Sequence, residues 1–306
     1  IITDSTKDCS KPRVSDKMNP DIPLLTQIEE YSHKCSKGHK RIAEYILSNH
    51  VSASYMTASR LSKAVGVSES TVVRFAMEMG FAGYPELQTA IRKTLKNKLT
   101  SVQRIEIASE RMGDDVLGAT LQADIDNLKH TLATTDRANF DAIISMILYA
   151  KTIYIVGNRS STSLANFMYF YFSLIFDKSR LVQSASGSDI FEQMLNIGEG
   201  DLIIGISFPR YSKRTVDAMH YAKTQGAFAV AITDSEQSPI AELADRVLYA
   251  KNEMSSFVDS LVAPLSLINA LVSAVGQKKK KELCKTFERL EEIWDEYSVY
   301  NKDKDK

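Results

Sequence analysis

Two loops in the sequence collect residues able to bind an anion. Gly157-Asn-Arg159-Ser160-Ser161-Thr162 and Ser207-Phe-Pro-Arg210-Tyr-Ser212 each follow a short apolar run and precede a helix-prone segment. Both place hydroxyls and backbone N–H groups at a helix N-terminus, where unsatisfied donors and the helix dipole favour negative charge. Arg159 and Arg210 add charge-assisted bonds. Arg159, Ser160, Ser161, Thr162, Ser207, Arg210 and Ser212 are therefore the candidate ligands of a phosphate group. One such loop is explained as well by helix capping. Two at successive strands point to a ligand.

A second cluster lies in Leu61-Ser-Lys-Ala-Val65-Gly66-Val67-Ser68-Glu69-Ser70-Thr71-Val72-Val-Arg74-Phe75. Its spacing predicts two steeply crossed helices joined by a turn of three or four residues. Gly66 supplies a positive φ in the turn. Leu61 and Val65 bury one face of the first helix, and Val72 and Phe75 one face of the second. That burial leaves Ser68, Glu69, Ser70, Val73, Arg74 and Met77 outward. The N-terminal part of such a helix suits the DNA major groove. Ser70 and Thr71 are placed for base edges or phosphates, and Arg74 for a guanine edge or the backbone. Ser68 caps this helix, and Thr57 caps the one before it. The candidate DNA contacts are Thr57, Ser68, Glu69, Ser70, Thr71 and Arg74. The alternative is a helical hairpin with no nucleic-acid role.

Catalysis finds less support. An enzyme acting on such a ligand needs a general base beside the reacting atoms. Glu192 and His220 are the available groups, and each reads better as a helix-surface residue. Cys9, Cys35 and Cys284 are scattered, and five histidines form no HExxH-like cluster. No disulfide framework, metal site or cofactor is expected.

The elements that must position these groups fall into two regions. Residues 24–99 read as all helix, with Ser36, Thr57 and Ser68 as caps and Gly66 and Gly80 as stops. From residue 124 the pattern changes. Helices are expected at 124–133, 138–149, 162–176, 188–196, 213–225, 238–243 and 258–276. Strands are expected at 152–156, 181–184, 202–206, 227–232 and 247–249. Strands alternating with helices mean a parallel sheet covered on both faces, with phosphate ligands at the strands' carboxyl ends. The expected division is a disordered segment 1–20, a helix-turn-helix domain 21–99, a helical linker 100–123, an α/β domain 124–277, and a closing amphipathic helix with a charged tail, 278–306.

The net charge of zero conceals an asymmetry: residues 21–100 carry +4 and residues 124–276 carry −4. A basic helical region beside an acidic body suits an anion-binding module on a separate sensing domain. No apolar run reaches the roughly 18–20 residues that span a bilayer. The first residues carry Asp4, Lys7 and Asp8 in place of an apolar leader, so a cytoplasmic protein is expected.

Lys40-Arg-Ile-Ala-Glu44, Val67-Ser-Glu-Ser-Thr-Val-Val-Arg-Phe75, Met79-Gly-Phe-Ala-Gly-Tyr84 and Glu86-Leu87 resemble the N-terminal domain of RpiR-type regulators. Residues 124–276 resemble a SIS (sugar isomerase) domain, and Leu290-Glu-Glu-Ile-Trp294 the family's closing helix. The resemblance implies a dimeric regulator, or a dimer of dimers, that binds a duplex DNA operator of sugar-catabolic genes and is controlled by a phosphorylated sugar. It assigns phosphate contacts to Ser160 and Ser161, with Ser207 and Ser212 from the second loop. Arg159 and Arg210 stand where the wider SIS pattern has glycine, and Pro209 where it has serine. Two other readings remain: an isomerase with an appended DNA-binding domain, and a regulator whose second domain only dimerises. An isomerase assay separates the first, and phosphosugar titration the second.

Overall fold

The computed structural model describes residues 23–95, 100, 102–105, 114–183, 189–253 and 258–300. The chain forms two compact units, residues 1–107 and 108–306.

The first unit is helical: α1 (Leu24–Ser32), α2 (Lys37–Ser48), α3 (His50–Ala53), α4 (Ala58–Val65), α5 (Glu69–Glu78) and α6 (Tyr84–Leu95). Ile28, Ile42, Ile46, Leu61, Val72, Phe75, Leu87 and Ile91 bury fully in one core. Ile42 and Ile46 stand one turn apart, which places both on the inner face of α2. Ser36 caps α2, accepting from His39 N at 3.4 Å. The one-turn α3 is not legible from periodicity. A tertiary bond holds it, because the buried Tyr84 hydroxyl donates to Ala53 O at 2.9 Å.

The second unit runs α7 (Val116–Thr134), α8 (Arg137–Tyr149), β1 (Ile153–Gly157), α9 (Ser161–Ile175), β2 (Ser179–Val182), α10 (Ile190–Gln193), β3 (Leu202–Ile206), α11 (Lys213–Thr224), β4 (Phe228–Thr233), β5 (Arg246–Tyr249), α12 (Val262–Lys278) and α13 (Lys280–Glu296). All strand pairs are parallel, in the order β2-β1-β3-β4-β5. The apolar β1 and β3 are buried along their whole length, as a sheet covered on both faces requires. Side chains alternate between faces. Ile153, Ile155, Leu202 and Ile204 join the core beneath α8, α9 and α12, whereas Tyr154, Val156 and Ile203 join the core of α11.

Several expected boundaries shift. The helix expected to begin at residue 124 starts at Val116, with Asp115 capping it through Gly118 N at 2.9 Å. Residues 116–123, read as linker, are thus the first turns of α7, which packs on α12. Of the rest of that linker, 102–105 form one helical turn and 106–113 lie outside the described residues. The segment 1–20, residue 184 of the expected strand 181–184, residue 188 of the helix after it and residues 96–98 also lie outside them. Residues 238–243 are turns closed by Ala241 N to Ser238 O and Ala244 N to Ala241 O. Pro239, lacking an N–H, stands at their start. The long helix begins at Val262 and not at 258, because Asn252 Nδ2 holds Ser260 O at 3.0 Å and Ser260 Oγ bonds Asp124. The tail forms the amphipathic α13, which packs on α9 and α12. Among the described residues no helix is long and apolar enough to cross a membrane.

Candidate functional site

In the first unit α4 and α5 meet through Gly66-Val67-Ser68. Gly66 adopts φ 68° and ψ 48°, a left-handed conformation that a side chain disfavours. Arg41 Nη1 donates to Gly66 O at 3.2 Å, and a Cβ on Gly66 would stand 2.9 Å from Arg41 Nη2. The positive φ is what favours glycine here, since the Arg41 guanidinium is the end of a flexible side chain and can move aside. Thr57 caps α4 through Arg60 N, and Ser68 caps α5 through Thr71 N, each at 3.2 Å. Ser68 Oγ also lies 2.9 Å from Ser70 Oγ and 2.7 Å from Thr71 Oγ1. Three hydroxyls so gather at the start of α5, where the helix dipole is positive. Val72, Phe75 and Ala76 bury the opposite face. Thr57, Ser68, Glu69, Ser70 and Arg74 are exposed and Thr71 is half-buried. Arg74 lies one turn beyond Ser70 on the same face, while Thr57 starts the other helix.

In the second unit the strand order decides where a ligand fits. β1 has β2 on one side and β3 on the other, so the chain winds in opposite directions from β1. The crevice at the carboxyl ends of β1 and β3 is the topological switch point, where open α/β sheets bind ligands. Both hydroxyl-rich loops flank it. Between them lies a cavity of about 500 Å³, lined by Gly157, Asn158, Arg159 and Thr162, by Arg210, Tyr211, Ser212, Lys213 and Arg214, and by Gln183 beyond β2.

Its walls are tied together. A Cβ on Gly157 would stand 2.7 Å from Ser161 O, so only glycine lets α9 start this close to β1. Thr162 Oγ1 donates back to Gly157 O at 3.2 Å. Asn158 Nδ2 donates to Thr215 Oγ1 at 3.0 Å, linking the first loop to α11. The buried Ser207 Oγ accepts from Ser212 N at 3.2 Å and braces the second loop. Gln193 grips Gln183 from both sides, accepting from its N at 3.0 Å and donating to its O at 2.6 Å. Tyr211 donates to Asp234 Oδ1 at 2.8 Å. Burial first, and the Asp234 charge next, hold its phenol protonated well above the usual tyrosine range. Arg159 and Arg210 have φ of 59° and 60°, in the region that glycine tolerates and other residues rarely enter.

Of the predicted ligands, Arg159, Thr162, Arg210 and Ser212 line the cavity. Ser160, Ser161 and Ser207 are not among its lining residues. Ser160 is exposed at the start of α9 without a side-chain capping bond, and Ser161 and Ser207 are buried. Asn158, Gln183, Tyr211, Lys213 and Arg214 were not foreseen. Lys213 and Arg214 were readable, being two cations in the first turn of α11. Gln183 was not, since it follows a different strand, β2. Glu192 and His220 are exposed and outside the lining.

The two units define a class: a helix-turn-helix domain followed by a doubly wound α/β domain with a cationic cleft at its switch point. Residues 22–98 match the helix-turn-helix domain of the rpiR family and residues 146–274 match the SIS domain. The chain belongs to the RpiR-type family of transcription regulators. A protein described as an uncharacterized HTH-type transcriptional regulator of Caldanaerobacter subterraneus subsp. tengcongensis is 27% identical over 280 residues, 88% of this chain and 96% of that one. The sugar isomerase domain of an RpiR transcription factor from Sphaerobacter thermophilus is 26% identical, with a TM-score of 0.55, covering 57% of this chain and 98% of that one. The NanR protein of Vibrio vulnificus, solved in complex with ManNAc-6P, shares the fold at 20% identity and a TM-score of 0.55, over 91% of this chain and 100% of that one.

Proposed function

We propose that this regulator's affinity for its operator is set by a phosphorylated sugar bound in the β1/β3 cleft and released unchanged. The observation that carries the reading is the cleft itself: arginines and hydroxyls line it, and among the described residues no Asp, Glu or His does. Such a lining suits holding a phosphate and lacks the positioned base that isomerisation needs. Arg159, Thr162, Arg210 and Ser212 hold the ligand, with Ser207 bracing Ser212 from beneath. Ser160 and Ser161 contribute through the backbone at the start of α9. Thr57, Ser68, Glu69, Ser70, Thr71 and Arg74 form the DNA-facing surface. The genes controlled are those of sugar catabolism, in the cytoplasm.

Operator binding, measured with and without sugar phosphates and alongside a turnover assay, tests this. The ligand is expected to change operator affinity about 5- to 150-fold, the span of a typical coupling energy of 1–3 kcal/mol. Conversion of the sugar at a catalytic rate would establish the isomerase instead. An affinity that no sugar phosphate moves would leave the second domain a dimerisation module.

The same reading makes the protein a homodimer or a dimer of dimers. One recognition helix reads only a few base pairs, so specificity needs two, about one DNA turn apart or a multiple of it. Most of the apolar surface of α12 is spent in the core, but Leu117, Leu121, Ile125 and Leu132 of α7 are exposed. An apolar stripe of this kind is typical of a protein contact. Light scattering at micromolar concentration should give at least twice the chain mass; a monomer with and without DNA would rule the assembly out.

A further inference from the structure

We infer that α13 is a self-association surface, which pairs antiparallel with the α13 of a second copy of this chain across a two-fold axis. It is a second contact beside the apolar stripe of α7, and it stands whether or not the cleft takes a sugar phosphate.

The helix is incompletely covered by its own chain. None of its 17 residues is buried. Leu283, Phe287, Leu290 and Trp294 repeat at helical spacing and are only half-buried, although the helix packs on α9 and α12. An open groove of about 360 Å³ runs along it, with Gly276 of α12 on the far wall. Leu283, Cys284 and Phe287 line its middle, Lys280 one end, and Glu288 and Glu291 the other. The groove is thus apolar at its centre and opposite in charge at its two ends.

The order of charge says what covers it. From Lys280 to Phe287 the charged residues are three lysines and one glutamate; from Glu288 to Glu296 they are five carboxylates and one arginine. This segregation works against the helix itself. Lys281 and Lys285 stand one turn apart, as do Glu288 and Glu292, and Glu292 and Glu296; like charges at that spacing destabilise a helix. No basic residue stands in the last turn, where the negative end of the dipole disfavours carboxylates. Glu282 bonds Lys279, 3.4 Å away and just before the helix. Among the described residues Lys280, Lys281 and Lys285 close no ion pair. A helix face turned only to water gains by mixing signs at i, i+4 instead.

An antiparallel copy corrects both defects. A two-fold contact uses the same patch on each side, so the acidic end of each helix lies on the basic end of the other. Each positive dipole end also meets a negative one. Lys281, Lys285, Glu292 and Glu296 stand at i, i+4, i+11 and i+15, on one face bordering the groove. With the axis beside Glu288, Lys281 and Lys285 of each copy oppose Glu296 and Glu292 of the other. A parallel copy would set like charges together, and a partner of a single sign would match only one end.

Sedimentation velocity of the full chain over a dilution series measures the self-association constant. Two charge-reversed variants are compared, Lys281→Glu with Lys285→Glu, and Glu292→Lys with Glu296→Lys. Each should weaken self-association about 10-fold or more, because like charges now face each other. An equimolar mixture of the two should recover the parent's constant, and so should the variant carrying all four changes. All four positions are exposed, and both reversals suit the helix dipole, so unfolding does not account for the loss. Raising salt from about 0.1 M to 1 M shortens the Debye length from about 10 Å to 3 Å. That should weaken the parent and strengthen each reversed variant. Constants equal to the parent's in both variants overturn the inference and leave the proposed function standing. A mixture that associates no better than its components also overturns it. Unchanged association with a fall in operator affinity on lysine reversal makes nucleic acid the occupant instead. A parent that stays monomeric throughout overturns the α7 assembly as well.

Discussion

Phe75→Ala is expected to remove about 3–5 kcal/mol from the stability of the N-terminal unit, the usual cost of deleting a large buried ring. Phe75 is fully buried. Its ring packs edge-on against Tyr31 and His39, with centroids 5.7 Å away in each case. Tyr31 Oη in turn lies 2.9 Å from His39 Nδ1 and donates to Glu78. One ring therefore holds α1, α2 and α5 in register, and its loss leaves a cavity beside a buried histidine. Stability of roughly 5–15 kcal/mol is all that a small domain has, so the helix-turn-helix should be largely unfolded at modest urea. The second unit supplies the control. The chain's one tryptophan, Trp294, lies in α13, so its fluorescence follows that unit, while far-ultraviolet circular dichroism follows both. The expected result is an early helical transition, loss of operator binding, an unmoved tryptophan transition and retained ligand binding. A dichroism curve identical to the parent's would show that Phe75 does not hold this core together.

The same residues show why part of the molecule was legible from sequence and part was not. The α4–α5 turn was readable because its two demands are local: a glycine where φ is positive, and apolar residues three or four apart. The strands were readable because both faces of the sheet are covered, which forces continuous runs such as Ile153 to Val156 and Leu202 to Ile206. The start of α7 was hidden by its composition. Leu117, Leu121 and Ile125 stay exposed, so the stripe that periodicity detects is not the one the core buries. In the cleft the residue types were legible and their directions were not. Ser161 N bonds Asn158 O and Thr162 N bonds Arg159 O, so the chain is already turning before α9 begins. Each residue of a helix rotates by about 100°. That rotation sends the Ser161 side chain into the core and brings Thr162 to the cavity. A one-residue difference of that kind depends on how the loop enters the helix, which hydroxyl content does not specify.

Arg74→Ala is expected to weaken operator binding by about 1–3 kcal/mol, or roughly 5- to 150-fold, without unfolding the domain. The argument begins on the buried side of α5. Val72, Phe75 and Ala76 are locked in the core, so the helix cannot rotate, and Arg74 is fixed on the outward face. An exposed side chain of this kind contributes little to folding, within about 0.5 kcal/mol, so the unfolding temperature should stay near the parent's. Ser68→Ala gives the contrast. It removes the cap from Thr71 N and should cost about 1 kcal/mol of stability. An operator selected from random duplexes provides the ligand, and the salt dependence sorts the mechanism. If Arg74 pairs with a phosphate, the loss is the same on every sequence and the slope of log affinity against log salt falls by about 1. If it reads a guanine edge, preference relaxes at one position of the operator and the slope is kept. Either pattern puts Arg74 in the interface. Unchanged affinity across the salt series, with the fold intact, would remove it and place the contact surface elsewhere on the unit.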